Sequence, residues 1–451
     1  MCTQCISFFL LPLYTAILSK EEYGAYDLIV SYATLLLPLV NWQFDQGLFR
    51  FMLDCRSDHE QQRTLFSTLF FSSCLQAVLY ALLFALVHPL LQMEHAYFLL
   101  IYVILQVFVA LLLQFVRGQG SNVKYTIASF ISASSTTVLN VVMLVILKMG
   151  LRGLFYATIL GQLLSIVYLI FASRCWSYIS LHSVDRKVFK AVGSYAFPLI
   201  PNNLAWWVVN ASDKTVISYF LGVAENGIFT VANKFPHVFI VFYNILNLSW
   251  TETVSLHYMD EDRDEFLTDT MTSLFKLFSC ACFGIIALMP FIFPIMVNAN
   301  YSAAYNQILI LMFAMLFRVL VGLYSCVYVA QKQAKKIATS SMASAVINIV
   351  IDLLLIKRIH LYAASISSLV AFLSMFLIRY ADINKTVHMR IRRPVIIGTV
   401  CIGILLIATY YCQNKWIQLV ALLITVIYSV VMNLDMLKSL QGIFRKKLLG
   451  K

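Results

Sequence analysis

The sequence predicts an all-α, polytopic membrane protein with about 14 spanning helices. Three observations predict it: an extreme composition, apolar runs long enough to cross a bilayer, and basic residues that alternate between successive loops. Of 451 residues, 61% are hydrophobic and 12% charged, against roughly 45–50% apolar in soluble domains. The mean hydropathy is +0.82. A helical run of about 20 apolar residues crosses the hydrocarbon layer, and runs of that length recur from end to end. They are continuous in Leu, Ile, Phe and Ala, whereas a membrane barrel would need alternating strands of about 10 residues.

Read in order, the apolar runs place helices near 1–18, 25–49, 64–91, 96–116, 125–147 and 152–172, then 191–221, 227–250, 270–298, 304–330, 337–356 and 362–382. An extra pair follows near 394–412 and 416–434. The expected organisation is an N-lobe at 1–172, a cytoplasmic linker at 173–190, a C-lobe at 191–382, the extra helix pair within 383–434 and a basic tail at 435–451. Lys and Arg fall about 23 to 6 between the two alternate sets of loops. By the positive-inside rule the rich set, which includes the C-terminus, is cytoplasmic. The net charge of +12 is therefore topological, because it is scattered over short loops and forms no nucleic-acid-binding domain.

A repeat supports two lobes. Ile17-Leu18-Ser19-Lys20-Glu21-Glu22-Tyr23-Gly24-Ala25-Tyr26 lines up with Phe220-Leu221-Gly222-Val223-Ala224-Glu225-Asn226-Gly227-Ile228-Phe229, at an offset of about 203 residues. Six helices per copy give both lobes the same orientation, related by a pseudo-twofold axis along the membrane normal. The second copy has a long helix with Pro198 and Pro201 before Leu221, whereas only about 18 residues precede the matching Leu18. The first helix is therefore expected to be truncated.

The segment Leu18-Ser19-Lys20-Glu21-Glu22-Tyr23-Gly24-Ala25-Tyr26-Asp27 resembles the first loop of the polysaccharide-biosynthesis flippases. These are the O-antigen and capsule repeat-unit transporters of the multidrug/oligosaccharidyl-lipid/polysaccharide superfamily. Pro198-Leu199-Ile200-Pro201-Asn202-Asn203, Asn210-Ala211-Ser212-Asp213-Lys214 and Gly227-Ile228-Phe229-Thr230-Val231-Ala232-Asn233-Lys234 resemble the seventh and eighth helices of the same family. The resemblance implies a two-lobed transporter, not an enzyme, in a bacterial inner membrane. It would carry undecaprenyl-pyrophosphate-linked oligosaccharide from the cytoplasmic to the outer leaflet by alternating access, without a cofactor. Its implied partners are the lipid-linked glycan, membrane lipids, and polysaccharide polymerase and chain-length machinery. Lys214 stands where the family commonly has Arg.

A charge at the bilayer centre costs at least about 2.5–3.5 kcal/mol, so each one demands a partner or a wet cavity. Lys214 and Asp213 fall inside the helix at 191–221, Lys234 about two turns into the next, and Arg318 near the middle of 304–330. Asp45 and Arg50 lie toward the cytoplasmic end of 25–49. Lys214, Lys234, Arg318 and Arg50 are the candidate cations of a central cavity that holds the pyrophosphate. The competing reading is interhelical pairing or snorkelling. Asp213 and Asp45 are the candidate coupling or charge-pair carboxylates, with Lys234 the expected partner of Asp213. Trp206 and Trp207 are candidate aromatic contacts for sugar or lipid, but interfacial anchoring or packing is the favoured reading.

Other motifs carry nothing. Asp260-Glu261-Asp262 sits in a short acidic loop, and Gly118-Gln119-Gly120 lacks a third glycine. The eight histidines form no i, i+4 pair, so no metal is expected. Two other readings stay open. A multidrug or cation antiporter of the same superfamily would group acids within a lobe. A membrane polymerase or ligase of lipid-linked glycans would need a large outer loop.

Overall fold

In the computed structural model, every regular element among the described residues is a helix. Those residues are 8–90, 94–331, 333–412, 414–436 and 438. The start of the first predicted helix, 1–7, and the basic tail beyond 438 lie outside the described residues. In chain order the helices are α1 (Leu11–Ile17), α2 (Lys20–Val40), α3 (Phe44–Asp54), α4 (His59–Val87), α5 (Ala96–Gly118), α6 (Asn122–Val141) and α7 (Gly150–Ser173). Then come α8 (Arg186–Ala196), α9 (Leu199–Phe220), α10 (Val223–Leu256), α11 (Arg263–Met296), α12 (Tyr305–Ala330), α13 (Ala334–Ile359), α14 (Leu361–Ile383), α15 (Arg393–Tyr410) and α16 (Lys415–Met432). Among the described residues, eleven helical segments are long and apolar enough to cross a membrane. The chain is thus a multi-pass membrane protein. The 22-residue α9 and 34-residue α10 have the length to span, and they carry Asp213, Lys214 and Lys234.

The chain divides into two compact units, Met1–Gly227 and Ile228–Lys451. In the first, Phe44, Leu48 and Met52 of α3 bury against Phe66 of α4, Phe115 of α5 and Val192 and Ala196 of α8. A second cluster joins Ile29 and Ala33 of α2 to Val103 of α5 and Phe155 of α7. In the second unit, α12 is the most enclosed helix. Ile308, Met312, Val319, Leu323, Tyr324 and Val327 are all buried, and it packs against α13 and α14.

Two predicted helices prove to be interrupted. The run at 25–49 is split between α2 and α3, because Trp42 and Gln43 adopt left-handed conformations with φ 52° and 59°. Such residues cost on the order of 1–3 kcal/mol and persist where neighbours hold them. Here the Gln43 amide donates to Asn41 Oδ1 at 2.9 Å, and Asn203 Nδ2 on α9 donates to Gln43 Oε1 at 3.0 Å. The run at 191–221 divides into α8 and α9 at Pro198, which has no N–H to offer the carbonyl of Ser194.

Local sequence explains how α2 starts. Ser19 Oγ accepts from the Glu22 amide at 3.1 Å, and the Glu22 carboxylate accepts from the Ser19 amide at 3.0 Å. This reciprocal cap satisfies two amides that a helix start leaves open. The other Glu22 oxygen accepts from the Leu151 amide at 3.3 Å, tying the start of α7 to the same residue.

The two copies of the repeated segment meet. Gly24 and Gly227, which align in the repeat, both belong to the first unit. A Cβ on Gly24 would lie 2.0 Å from the Val223 carbonyl oxygen, and one on Gly227 2.1 Å from the Lys20 carbonyl oxygen. Asn226 Nδ2 seals the junction by donating to the Gly24 carbonyl at 2.9 Å. Only the absence of a side chain lets these backbones approach so closely. Gly24→Ala and Gly227→Ala are each expected to destabilise the protein by about 1–3 kcal/mol, read as a lower midpoint of thermal unfolding in detergent. Unchanged midpoints would show that the contact is dispensable.

Candidate functional site

The second unit holds two arginines inside its helices, and their surroundings differ. Arg379 lies near the end of α14 and is 1% exposed. Its donors are all engaged. Nε donates to Ser340 Oγ at 3.0 Å, Nη2 to Ser341 Oγ at 3.0 Å and the Ile337 carbonyl at 3.3 Å, and Nη1 to the Val321 carbonyl at 3.3 Å and to Ser325 Oγ. Every acceptor is neutral, and together they join α12, α13 and α14. This arginine is a clamp.

Arg318 lies near the middle of α12 and is half-buried. Among the described residues its Nη1 reaches only the Met315 sulfur, at 4.0 Å, and its guanidinium carbon lies 5.8 Å from the centroid of the Phe372 ring. Among the described residues it makes no ion pair. An arginine carries five N–H donors and never loses its charge in a protein. A thioether and a ring edge or face are weak company for it, so the donors remain available to an anion.

Lys234 projects half-buried from α10 in the same unit. An apolar cleft of 390 Å³ also lies there, lined by Phe283, Phe313, Leu316, Phe317, Phe376 and Ile404. At about 100° per residue, the α12 stripe of Phe313, Leu316, Phe317 and Leu320 faces away from Arg318. The cation and the cleft are therefore separate features of one helix.

In the first unit, Lys214 forms an ion pair with Asp27 Oδ2 of α2 at 2.8 Å and donates to Ser31 Oγ at 3.1 Å. The Trp207 indole donates to the Ser31 carbonyl at 2.9 Å. Lys214, Trp207, Asp27 and Ser31 are thus brought together, and the lysine charge is offset inside the protein. Trp206 is half-buried beside them on α9. Asp213 is 4% exposed; it belongs to the first unit and Lys234 to the second.

Asp45 is buried in the first turn of α3, where it accepts from Asn41 Nδ2 at 2.9 Å and Gln46 Nε2 at 2.7 Å. With Gln43 and Asn203 it forms a carboxamide network around the α2–α3 break. Arg50 stands apart. It is 49% exposed and pairs with Asp54 one turn on, at 2.7 Å, an arrangement of small energetic weight.

Sequence reasoning missed Asp27, Ser31 and the Arg379 cage. Asp27 closes the segment that resembles a loop, so it does not stand out in the sequence as an intramembrane charge. The cage had a visible signal: Ser340, Ser344, Asn348 and Asp352 recur every four residues on α13, and all are buried. That spacing marks a polar stripe on one helix face. Asn348 continues it to α14 by donating to Ser367 Oγ at 3.3 Å.

The polysaccharide biosynthesis protein family matches residues 1–250, more than half of the chain. No curated protein matches it. Among solved structures, the fold is similar to the lipid II flippase MurJ in an inward closed conformation, with a TM-score of 0.75 and 14% identity over 97% of each chain. It is also similar to an inward-facing multidrug resistance MATE family transporter of the MOP superfamily, with a TM-score of 0.70 and 15% identity over 85% of this chain and 95% of that one. An outward-facing MATE structure matches with a TM-score of 0.57 and 16% identity, over 85% of this chain and 93% of that one. At such identities the likeness is one of fold.

The two arginines should separate in stability. Arg379→Met strands buried serine hydroxyls and is expected to cost about 1–3 kcal/mol, read as a lower thermal midpoint. Arg318→Met removes a poorly solvated charge and is expected to leave that midpoint unchanged or raise it. A large loss of stability in Arg318→Met would show that this arginine, too, is structural.

Proposed function

This chain belongs to the polysaccharide biosynthesis protein family, and from that premise we propose that it flips a lipid-linked oligosaccharide across a bacterial cytoplasmic membrane. The cargo is a repeat unit of O-antigen, capsule or exopolysaccharide on undecaprenyl pyrophosphate, carried from the cytoplasmic to the outer leaflet by alternating access. The observation that carries this reading is Arg318, a cation in the middle of a membrane helix whose donors have no carboxylate partner among the described residues. Keeping such a charge in hydrocarbon is costly, and an anion that visits it offsets the cost. Lys234 adds a second cation in the same unit, and the apolar cleft of 390 Å³ suits part of a polyprenyl chain. The likeness to a lipid II flippase supports a lipid-linked cargo.

Arg318 and Lys234 are proposed to bind the pyrophosphate by charge-assisted hydrogen bonds, each of the strong class. Lys214 contributes less, because Asp27 already offsets it. The basic loops and the C-terminus face the cytoplasm, where the lipid-linked unit is assembled. The expected functional partners are the polymerase and chain-length machinery that consume the flipped unit.

The test is the leaflet on which lipid-linked repeat units accumulate in a strain whose own gene is replaced by the Arg318→Gln form. Accumulation on the cytoplasmic leaflet is expected, with export reduced at least tenfold, equivalent to about 1.4 kcal/mol. Accumulation on the outer leaflet, or normal export by Arg318→Gln, would sink the proposal.

A further inference from the structure

A second cavity, of 490 Å³, opens at the end of the second unit where α11 and α15 finish and α12 and α16 begin. That volume falls in the range of small-ligand sites, roughly 300–1,000 Å³. Among the described residues no charged side chain lines it; its walls are tyrosine, phenylalanine, proline, carboxamides, a serine and the smaller side chains of Val297, Ala299 and Cys412.

The aromatic side is fixed in place. Tyr305 and Tyr410 stack with centroids 4.4 Å apart and planes 12° from parallel. Each hydroxyl donates to the other residue's carbonyl, at 3.0 and 2.9 Å, which locks both rings. Tyr411 is anchored by its hydroxyl to the Asn306 carbonyl at 3.1 Å, yet its side chain stays 46% exposed. Its ring also meets Tyr410 at a centroid distance of 5.1 Å and 82°, so it is held in one orientation while the residue keeps nearly half of its surface accessible.

The polar side is oriented but incompletely used. Gln418 Nε2 donates to the Cys412 carbonyl at 2.7 Å and the Tyr410 carbonyl at 3.5 Å, so its Oε1 keeps its acceptor capacity. Among the described residues, the side chains of Asn306 and Ser302 form no hydrogen bond. The backbone adds another acceptor. Pro294 has no N–H, so the carbonyl of Pro290 in the cavity wall lacks its helical donor.

A rigid aromatic face, surrounded by neutral donors and acceptors with free capacity and no charge, is the chemistry that recognises a neutral sugar ring. Ring C–H groups lie on the aromatic face, and hydroxyls exchange hydrogen bonds with carboxamides. We propose that this cavity is a glycan subsite, with Tyr411 as its stacking residue and Gln418, Asn306 and Ser302 as its hydroxyl contacts. The proposal rests on the transport reading above only for the origin of the sugar, which is the glycan portion of the cargo. A site at the helix ends, apart from Arg318, would hold the sugar and the phosphate at separate points.

The experiment is saturation-transfer-difference NMR on the purified full-length protein in detergent. The probes are methyl α-glucoside, methyl α-galactoside, N-acetylglucosamine and, as a headgroup control, glycerophosphoethanolamine. Transfer to the ring protons of at least one sugar is expected. Tyr411→Ala and Gln418→Ala should each reduce it roughly fivefold, about 1 kcal/mol of lost contact, and Tyr411→Phe, which keeps the ring but loses its anchor to Asn306, should reduce it less than Tyr411→Ala does. Absence of transfer to all three sugars overturns the subsite. So does transfer indifferent to both alanine variants, or transfer to the headgroup control alone. Arg318→Gln is expected to bind sugar as the unaltered protein does while failing in export. Sugar binding with normal export by Arg318→Gln overturns the transport reading alone, and failed export without sugar binding overturns the subsite alone.

Discussion

What the second unit has to solve is the placement of a guanidinium where water is scarce. Five N–H donors and a permanent charge must find acceptors, or the side chain raises the energy of the whole fold. Arg379 solves this internally, with serines and carbonyls from three helices, and so becomes part of the scaffold that positions α12. Arg318, on the same helix, has a sulfur and a ring for company and, among the described residues, no carboxylate partner. The proposed function depends on that contrast. One cation is consumed by packing, and the other is held in place by a helix whose other faces are buried.

The rest of the architecture serves rigidity at chosen points and discontinuity at others. The Ser19–Glu22 cap and the Gly24–Gly227 contact hold the beginning of α2 against the repeated segment with almost no room to move. One helix length away, Trp42 and Gln43 break the same span in a left-handed turn that costs backbone energy and is kept by Asn41 and Asn203. The ion pair of Asp27 and Lys214 lies between these two points on α2 and links it to α9. A neutralised pair needs no substrate to stabilise it, and the proposed anion-binding role therefore rests on Arg318.

Much of this was visible in the sequence because a membrane sets simple rules. Long apolar runs became helices at 304–330 and 362–382 within a few residues of the expected positions, and Arg318 stood out as a charge inside an apolar run. The aligned glycines announced a repeat, although nothing in composition says that they touch. The misses share a cause: partners distant in the chain, or side-chain burial that a charge count cannot see. Lys214 looked available because Asp27 belongs to another helix. Arg379 looked like a loop cation because it falls near the end of an apolar run, where only the serine spacing on α13 betrays its cage. The break at Trp42 and Gln43 depends on φ angles that neither residue type prefers, so only the surrounding hydrogen bonds select it. The tyrosine-lined cavity joins residues 290–306 to residues 410–418, two stretches far apart in the chain, and has no local motif at all.

The central claim is that the Arg318 guanidinium is retained to meet an anionic lipid. Its most direct test is the affinity of the purified protein for farnesyl diphosphate, a short soluble polyprenyl diphosphate, compared with that of Arg318→Met. Loss of charged hydrogen bonds worth about 1.5–3 kcal/mol should weaken binding roughly 10- to 100-fold. Equal affinity in the two proteins would contradict the account, because the charge would then be present in the membrane with nothing to bind.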